Sequence, residues 1–208
     1  MRFLALPLVS LLLGCSAPTV DLAGVQLELP RLSSGGLRVI VEDARGDVEP
    51  SYYGVARVTM GIPREVHTRG GEPLADELQA AVLAGLEAAG QETDPEAPRT
   101  LRLVLNAWES DGYFGALTFE YDLGLFVESD PVRSARVAGS QEATYTGSDQ
   151  YAAACQQLCV QVLSELFQEL LGSPPSGEPS AAVCAKCFAE LQPDWRVCPH
   201  CATPVRGE

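Results

Sequence analysis

The chain has 208 residues, which is enough for one domain of ordinary size and a small additional module. A hydrophobic fraction of 46% supplies a core and excludes global disorder. There are 28 acidic and 14 basic residues, a net charge of −14, and no cluster of Lys and Arg. This balance argues against nucleic acid as a partner, because phosphate binding depends on such clusters.

The N-terminus has the pattern of a secretory signal. Arg2 supplies a positive charge, and an apolar run follows from Phe3 to Leu13. Eleven residues are too few to span a bilayer, which needs about 20. Residues 1–14 are therefore predicted to be a signal peptide.

The end of this run, LLGC, resembles the bacterial lipobox. The resemblance implies cleavage before Cys15 and acylation of its thiol and new amino group, which would anchor the protein in a membrane. The alternative is an ordinary signal peptide with an accidental cysteine. Ser16 follows instead of the aspartate that marks inner-membrane retention in this class, so the outer membrane is the expected location. Residues 15–36 are predicted to form an acylated tether, with at most one irregular edge segment.

Alternating apolar and polar residues then predict five strands. The clearest strand has six apolar residues on one face, from Leu117 to Val127, which indicates a sheet with one side in contact with solvent. The predicted strands cover residues 37–42, 53–60, 101–106, 117–128 and 132–145.

Two segments have the spacing of amphipathic helices. The first is predicted from Pro73 to Gly90, with proline at the start and glycine at the end. The second begins near Asp149 and buries a stripe that ends at Leu170. The order β-β-α-β-β-β-α predicts an α+β domain over residues 37–171, an antiparallel sheet of about five strands with both helices on one face.

A family resemblance follows from these elements in order. After the lipobox come LRVIVEDARG, then GVARVTM before a helix, then the strand TFEYDLGLFVE and a strand that ends in ATYTG. From about residue 10 to residue 171 this order is similar to the YajG-like lipoproteins of bacterial envelopes. The resemblance implies a periplasm-facing lipoprotein domain, and it carries no catalytic signature.

Residues 172–182 have the Pro, Gly and Ser content of a linker, and residues 183–206 contain two C-x-x-C pairs ten residues apart. Four thiolates from Cys184, Cys187, Cys198 and Cys201 match the tetrahedral preference of Zn²⁺. The stretch resembles small zinc ribbons, although Phe188 and Ala202 replace the usual knuckle glycines.

Two alternatives to zinc remain for these cysteines. Exported thiols face oxidation, so the module could be closed by disulfides. A reversible redox C-x-x-C is the other possibility, but the βα setting that lowers a thiol pKa is missing.

Other candidate residues have plainer explanations. Cys155 and Cys159 lie on the apolar stripe of the second helix, where cysteines usually serve as small core residues. The alternative interpretations are a local disulfide or two ligands of a second metal site. His67 lies near Glu65 and Arg69 and could act as a base, although an exposed histidine is the commoner case.

The sequence around WESDGYFG predicts a hairpin tip flanked by Trp108, Tyr113 and Phe114. Exposed aromatic residues at such a tip can form a contact patch, and they equally often cap a sheet edge.

The sequence does not contain a GxSxG or HExxH motif. The functional prediction is therefore a non-enzymatic, lipid-anchored envelope protein whose zinc ribbon binds an unidentified envelope protein. The alternative is a hydrolase or other enzyme with a pocket near His67.

Overall fold

The computed structural model describes residues 18–22, 24–32, 35–57, 61–128 and 133–172, together with two short strands near the C-terminus. The main domain follows the order β-β-β-β-α-β-β-β-α. Its strands are β1 (Thr19–Val20), β2 (Arg38–Asp43), β3 (Tyr52–Arg57), β4 (Pro63–Thr68), β5 (Thr100–Tyr113), β6 (Ala116–Glu128) and β7 (Arg133–Thr144). Its helices are α1 (Leu74–Ala88) and α2 (Ser148–Gly172).

The seven strands form one open sheet in the order β1-β4-β3-β5-β6-β7, with β2 also beside β5. The long strand β5 pairs along its whole length with β6; on its other side, β2 pairs with its first half and β3 with its last four residues. The prediction of an α+β domain is confirmed.

The prediction of an antiparallel sheet is wrong in part, because the pairs β1–β4, β2–β5 and β3–β5 are parallel. Alternation of apolar residues shows which face of a strand is buried and not which way its neighbour runs. Helix α1 supplies the crossover that a parallel neighbour of β5 requires.

Besides β1, two strands differ from the prediction in existence or extent. β4 was not predicted, since its first three residues are exposed and no alternation is visible there. β5 continues seven residues beyond the predicted end at Asn106, because a register shift between Leu105 and Ala107 interrupts the alternation. A bulge of this kind places an extra residue in one strand, so the inward-facing set changes from odd to even positions.

The helices begin and end close to the predicted residues. Gly90, with φ of 74°, ends α1, and the Gln91 amide donates to the Leu86 carbonyl across that turn. α2 begins at Ser148, and the Gln150 side chain accepts hydrogen bonds from the Thr146 amide and hydroxyl just before it.

Both helices share one hydrophobic core with the same face of the sheet, centred on Trp108, Phe119 and Phe167. On the opposite face, Val104 and Phe126 form a small separate cluster, and Arg102 lies 4.9 Å from the Phe126 ring centroid. The charged residues of β6 also lie on this outer face, where Arg136 of β7 forms an ion pair of 2.7 Å with Asp122.

Most of the predicted tether belongs to the folded domain. β1 pairs in parallel with β4, with Thr19 opposite His67, and five apolar side chains between Val20 and Leu29 are buried in the main core. The Glu77 carboxylate of α1 accepts a hydrogen bond of 2.9 Å from the Leu22 amide. The domain therefore begins by residue 18, whereas sequence reasoning placed its start at residue 37.

We predict that Gly54→Ala destabilises the domain strongly. A Cβ atom at position 54 would lie 2.2 Å from the Ser110 carbonyl oxygen and 2.2 Å from its Oγ, where β3 meets β5. Overpacking of backbone against backbone costs about 3 kcal/mol or more in unfolding free energy, measurable by urea titration. Gly24→Ala is the matched control, because no atom lies within 4 Å of its Cβ position. Equal effects of the two substitutions would contradict the assigned contact.

A second prediction concerns Glu77. Burial, helped by the nearby charges of Asp21 and Glu72, raises the pKa of the Glu77 carboxyl above its usual value of 4.5, although the Leu22 amide opposes this shift. The folded protein then favours the protonated form, so the stabilising contribution is present at low pH and is lost as pH rises through the folded-state pKa.

Glu77→Gln keeps an oxygen for the Leu22 amide and carries no charge at any pH. We expect the Gln variant to gain stability relative to the wild type at pH 7 and to lose this advantage as pH falls toward 4.5. Urea unfolding at a series of pH values measures this difference. The exposed Glu87→Gln is the control, and a pH-independent difference for Glu77→Gln would refute the expectation.

Candidate functional site

The predicted lipidation and metal residues lie outside the described residues. These are Cys15, Cys184, Cys187, Cys198 and Cys201. Their immediate surroundings are partly described, however. Thr19 already belongs to the sheet, so four residue steps separate it from Cys15.

Two short strands flank the first C-x-x-C pair. β8 (Ala182–Val183) and β9 (Glu190–Leu191) are antiparallel, with residue 182 opposite 191 and residue 183 opposite 190. The six residues between them include Cys184 and Cys187.

Within the described ranges, no group of three His, Cys, Asp or Glu side chains could hold a metal ion. In the same part of the chain, no helix combines the length and the apolar character needed to cross a bilayer.

His67 of β4 belongs to a polar cluster at the β3–β4 pair. Its Nδ1 lies 3.0 Å from the Ser51 hydroxyl, and its Nε2 lies 3.5 Å from a Glu65 carboxylate oxygen. Ser51 is almost fully buried and donates a hydrogen bond of 2.8 Å to Glu49. The Tyr52 ring packs edge-on against the imidazole at a centroid distance of 6.2 Å.

This hydrogen-bond pattern opposes nucleophilic chemistry at Ser51. Because the Ser51 hydroxyl proton is directed at Glu49, its oxygen is left to accept from Nδ1–H of His67. A general base must instead accept the proton of the nucleophile. The cluster joins Ser51, just before β3, to the end of β4 by hydrogen bonds.

The helix cysteines are core residues. Cys155 and Cys159 are free thiols with 0% exposure. Burial raises the pKa of the Cys155 thiol to about 12, and it also raises the pKa of the Cys159 thiol. Thiols held in the protonated form and away from solvent are poor nucleophiles and poor metal ligands.

A buried hydroxyl pair links α2 to β5 beside these cysteines. The hydroxyl groups of Ser110 and Tyr151 lie 2.6 Å apart, and Tyr53 donates to the Cys155 carbonyl at 3.4 Å. Burial raises the pKa of the Tyr151 hydroxyl above its usual value of 10. Both tyrosines are held as neutral hydrogen-bonding groups within the core.

The aromatic residues near the predicted hairpin tip separate into two groups. Trp108 is 2% exposed and packs edge-on against Phe119 in the core, so it does not belong to a surface patch. Tyr113 and Phe114 are 52% and 74% exposed, and their rings contact each other at a centroid distance of 4.4 Å. These two residues form the tip of the β5–β6 hairpin.

An open cleft of about 580 Å³ lies beside this tip. It is lined by Arg57, Gly61, Asp111, Tyr113 and Phe114. Arg57 donates to Asp111 at 3.1 Å, and its guanidinium lies 5.8 Å from the Tyr113 ring centroid. Ile62, which is 46% exposed, directly follows Gly61 of this lining in the chain.

Phe114 has an unusual backbone conformation. Its φ is 45°, and that of Gly115 is 85°, while Tyr113 pairs with Ala116 across the turn. Positive φ at both central residues is the pattern of a type I′ turn, which favours Asn at the first position. A phenylalanine there costs folding free energy of roughly 1 kcal/mol without burying its side chain.

Sequence reasoning missed Arg57, Asp111 and Ile62 at this site, because they lie in β3, in β5 and just before β4. The sequence signal that could have revealed this site is the alternation of buried and exposed residues in the second half of β5. A prediction that β5 continues to Tyr113 would have put Tyr113 at the end of a strand, where the structure pairs it with Arg57, the last residue of β3.

Comparisons with known proteins show similarity to solved structures. A crystal structure of protein XCC0632 from Xanthomonas campestris, described as family-model DUF330, is 23% identical with a TM-score of 0.51. The alignment covers 74% of this chain and 93% of that chain. The crystal structure of an uncharacterized protein is 15% identical with a TM-score of 0.47, over 74% of this chain and 99% of that one.

No family model matches the chain, and no curated protein shows significant similarity to it. The resemblance to YajG-like lipoproteins stays a prediction. The similarity to XCC0632 shows that the α+β domain has a fold already found in a solved structure.

Proposed function

We propose that the protein is a non-enzymatic lipoprotein of a bacterial envelope, similar to the YajG-like lipoproteins and anchored in the outer membrane by acylation of Cys15. The α+β domain faces the periplasm, and the C-terminal cysteines bind one Zn²⁺ in a ribbon that contacts an envelope protein. The observation that carries this proposal is the short connection between the lipobox cysteine and β1.

The length of this connection limits the distance between Cys15 and the start of β1. Four residue steps span at most about 14 Å, since an extended chain covers no more than about 3.6 Å per residue. A signal peptide cleaved immediately before Cys15 would leave the anchor directly at the edge of the folded domain. This junction is consistent with removal of residues 1–14 and retention of all core segments.

The two ends of the chain leave the domain at opposite ends of the sheet. α2 begins next to the β5–β6 hairpin, where the Tyr145 amide donates to Gly115. It ends near the far end of β6, where Arg133, opposite Val127, donates to the Leu170 carbonyl. A helix of 25 residues covers about 37 Å. The linker to the cysteine module therefore starts far from the hairpin tip. The chain enters β1, in contrast, from the end of the sheet at which the tip lies.

The β8–β9 hairpin supports zinc as the element that stabilises the C-terminal module. Its strands have two residues each, which gives little stability without a further constraint. A metal ion bound by four thiolates supplies about 10–16 kcal/mol of apparent binding free energy in small peptides. Disulfides between the same cysteines are the alternative.

The geometry does not favour the enzymatic alternative. Residues Glu49, Ser51 and Glu65 around His67 satisfy one another, and the cleft described above is lined by other residues. The proposed role is therefore binding and not catalysis.

We predict that Cys15→Ala releases the protein from the membrane. Without the thiol there is no acylation, and the described part of the domain has no helix able to span a bilayer. Membrane fractionation of cells, with mass spectrometry of the N-terminal peptide, measures the change. Ser16→Ala is the matched control and should stay anchored. Retention of a non-acylated Cys15→Ala protein at the wild-type level would contradict the anchoring proposal.

We also predict one zinc per chain in protein purified from the envelope without added metal. Cys198→Ser should abolish binding, because three thiolates leave the tetrahedron incomplete. Cys155→Ala is the matched control and should keep the metal, since that thiol is buried in the core.

Zinc release should expose four reactive thiols, while Cys155 and Cys159 react only after unfolding, and acylation consumes the thiol of Cys15. Metal analysis with thiol titration tests this expectation. Metal-free protein whose C-terminal cysteines require reduction before alkylation would establish disulfides instead.

A further inference from the structure

The hairpin tip has an arrangement that folding does not explain. Phe114 is the most exposed large hydrophobic residue of the described chain, and it occupies a backbone conformation that favours asparagine or glycine. Tyr113, whose ring contacts Phe114, is also exposed, and so is Ile62, which follows Gly61 of the cleft lining. Strain that coincides with an exposed aromatic side chain points to a function outside the domain's own stability.

The position of this tip relative to the N-terminus identifies its surroundings. Arg57 pairs with Pro63 on one side and with Tyr113 on the other, so the start of β4 and the hairpin tip lie at the same end of the sheet. Neighbouring strands are about 4.8 Å apart, which places the backbones of Pro63 and Tyr113 roughly 10 Å from each other.

The chain enters β1 from that same end. β1 is parallel to β4, and Thr19 lies opposite His67, four residues after Pro63. Four residue steps before Thr19 reach about 14 Å at most, which is close to the length of β4 from His67 back to Pro63. An acyl group on Cys15 would therefore bring a lipid surface to within the reach of the tip.

We propose that Tyr113, Phe114 and Ile62 form a membrane-docking tip that inserts into the lipid interface beside the acylated N-terminus. The inference rests on the proposed acylation of Cys15. Aromatic side chains with a polar partner are suited to the interface, where one end of the residue is apolar and the other is wet. The tip would give the domain a fixed orientation in addition to an anchor.

The charges near the tip favour a zwitterionic lipid surface. The cleft contains one cation and one anion, Arg57 and Asp111, which already pair with each other. The whole chain has a net charge of −14, which repels anionic lipid. Docking should therefore depend on apolar insertion and not on attraction to phosphatidylglycerol.

The first test uses the acylated protein reconstituted into phosphatidylcholine vesicles with brominated acyl chains. Tryptophan is placed at the tip by Phe114→Trp or at the opposite end of the domain by Leu171→Trp, which is also an exposed apolar position. The unsubstituted protein supplies the background from Trp108 and Trp195. We expect quenching of the tryptophan at position 114 and none at position 171. Equal quenching, or none at either position, would overturn the inference.

The second test uses the non-acylated Cys15→Ala chain and flotation with phosphatidylcholine vesicles. Phe114→Asn should lower the fraction bound at least about tenfold, because a buried phenylalanine side chain is lost from the lipid interface. The same substitution should raise the unfolding midpoint, since asparagine suits the turn. Leu171→Asn is the control and should leave vesicle binding unchanged.

The outcomes separate this inference from the proposed function. If the wild type is not acylated but flotation still depends on Phe114, the anchoring proposal fails and the docking tip stands. If the wild type is acylated, the tryptophan of the Phe114→Trp variant is not quenched and Phe114→Asn does not change flotation, the docking tip is refuted and the anchor stands. Binding of an envelope protein that requires Phe114, without any vesicle binding, would also refute membrane docking.

Discussion

The two-sided pairing of β5 is the constraint on which the domain depends. One side of this strand is occupied by β6, while β2 and β3 share the other side end to end. The contact between β3 and β5 requires glycine at position 54, because Gly54 lies against the backbone of Ser110. Ser110 in turn contacts the Tyr151 hydroxyl of α2, so strand pairing and helix packing meet at one buried point.

The two ends of this sheet have different surroundings. At one end, β3 and β5 finish together and the hairpin tip projects beyond them, next to the side from which the chain enters β1. At the other end, α2 terminates beside the start of β7 and the chain continues toward the cysteine module. Under the proposed function, the anchored N-terminus and the linker to the cysteine module would leave the sheet at opposite ends.

The histidine and the two helix cysteines that the sequence offers as reactive groups make structural contacts in the described part of the chain. His67 is satisfied by Ser51 and lies between two carboxylates, and the helix thiols are buried in apolar surroundings that keep them protonated. Hydrogen-bond satisfaction and low local polarity account for both cases. The surface feature without such an explanation is the strained, exposed aromatic tip.

The strands and helices and the faces that they bury could be predicted from the sequence, because strand and helix geometry each impose a fixed period on the apolar residues. The sequence predicted both helices with their ends, the strand that contains Phe119, and the core position of Cys155 and Cys159. The parallel pairs, the core positions of five apolar residues between Val20 and Leu29, and the burial of Trp108 emerge only in the tertiary structure. Pairing direction, the bulge after Leu105 and contacts across 50 or more residues depend on neighbours that local periodicity does not encode.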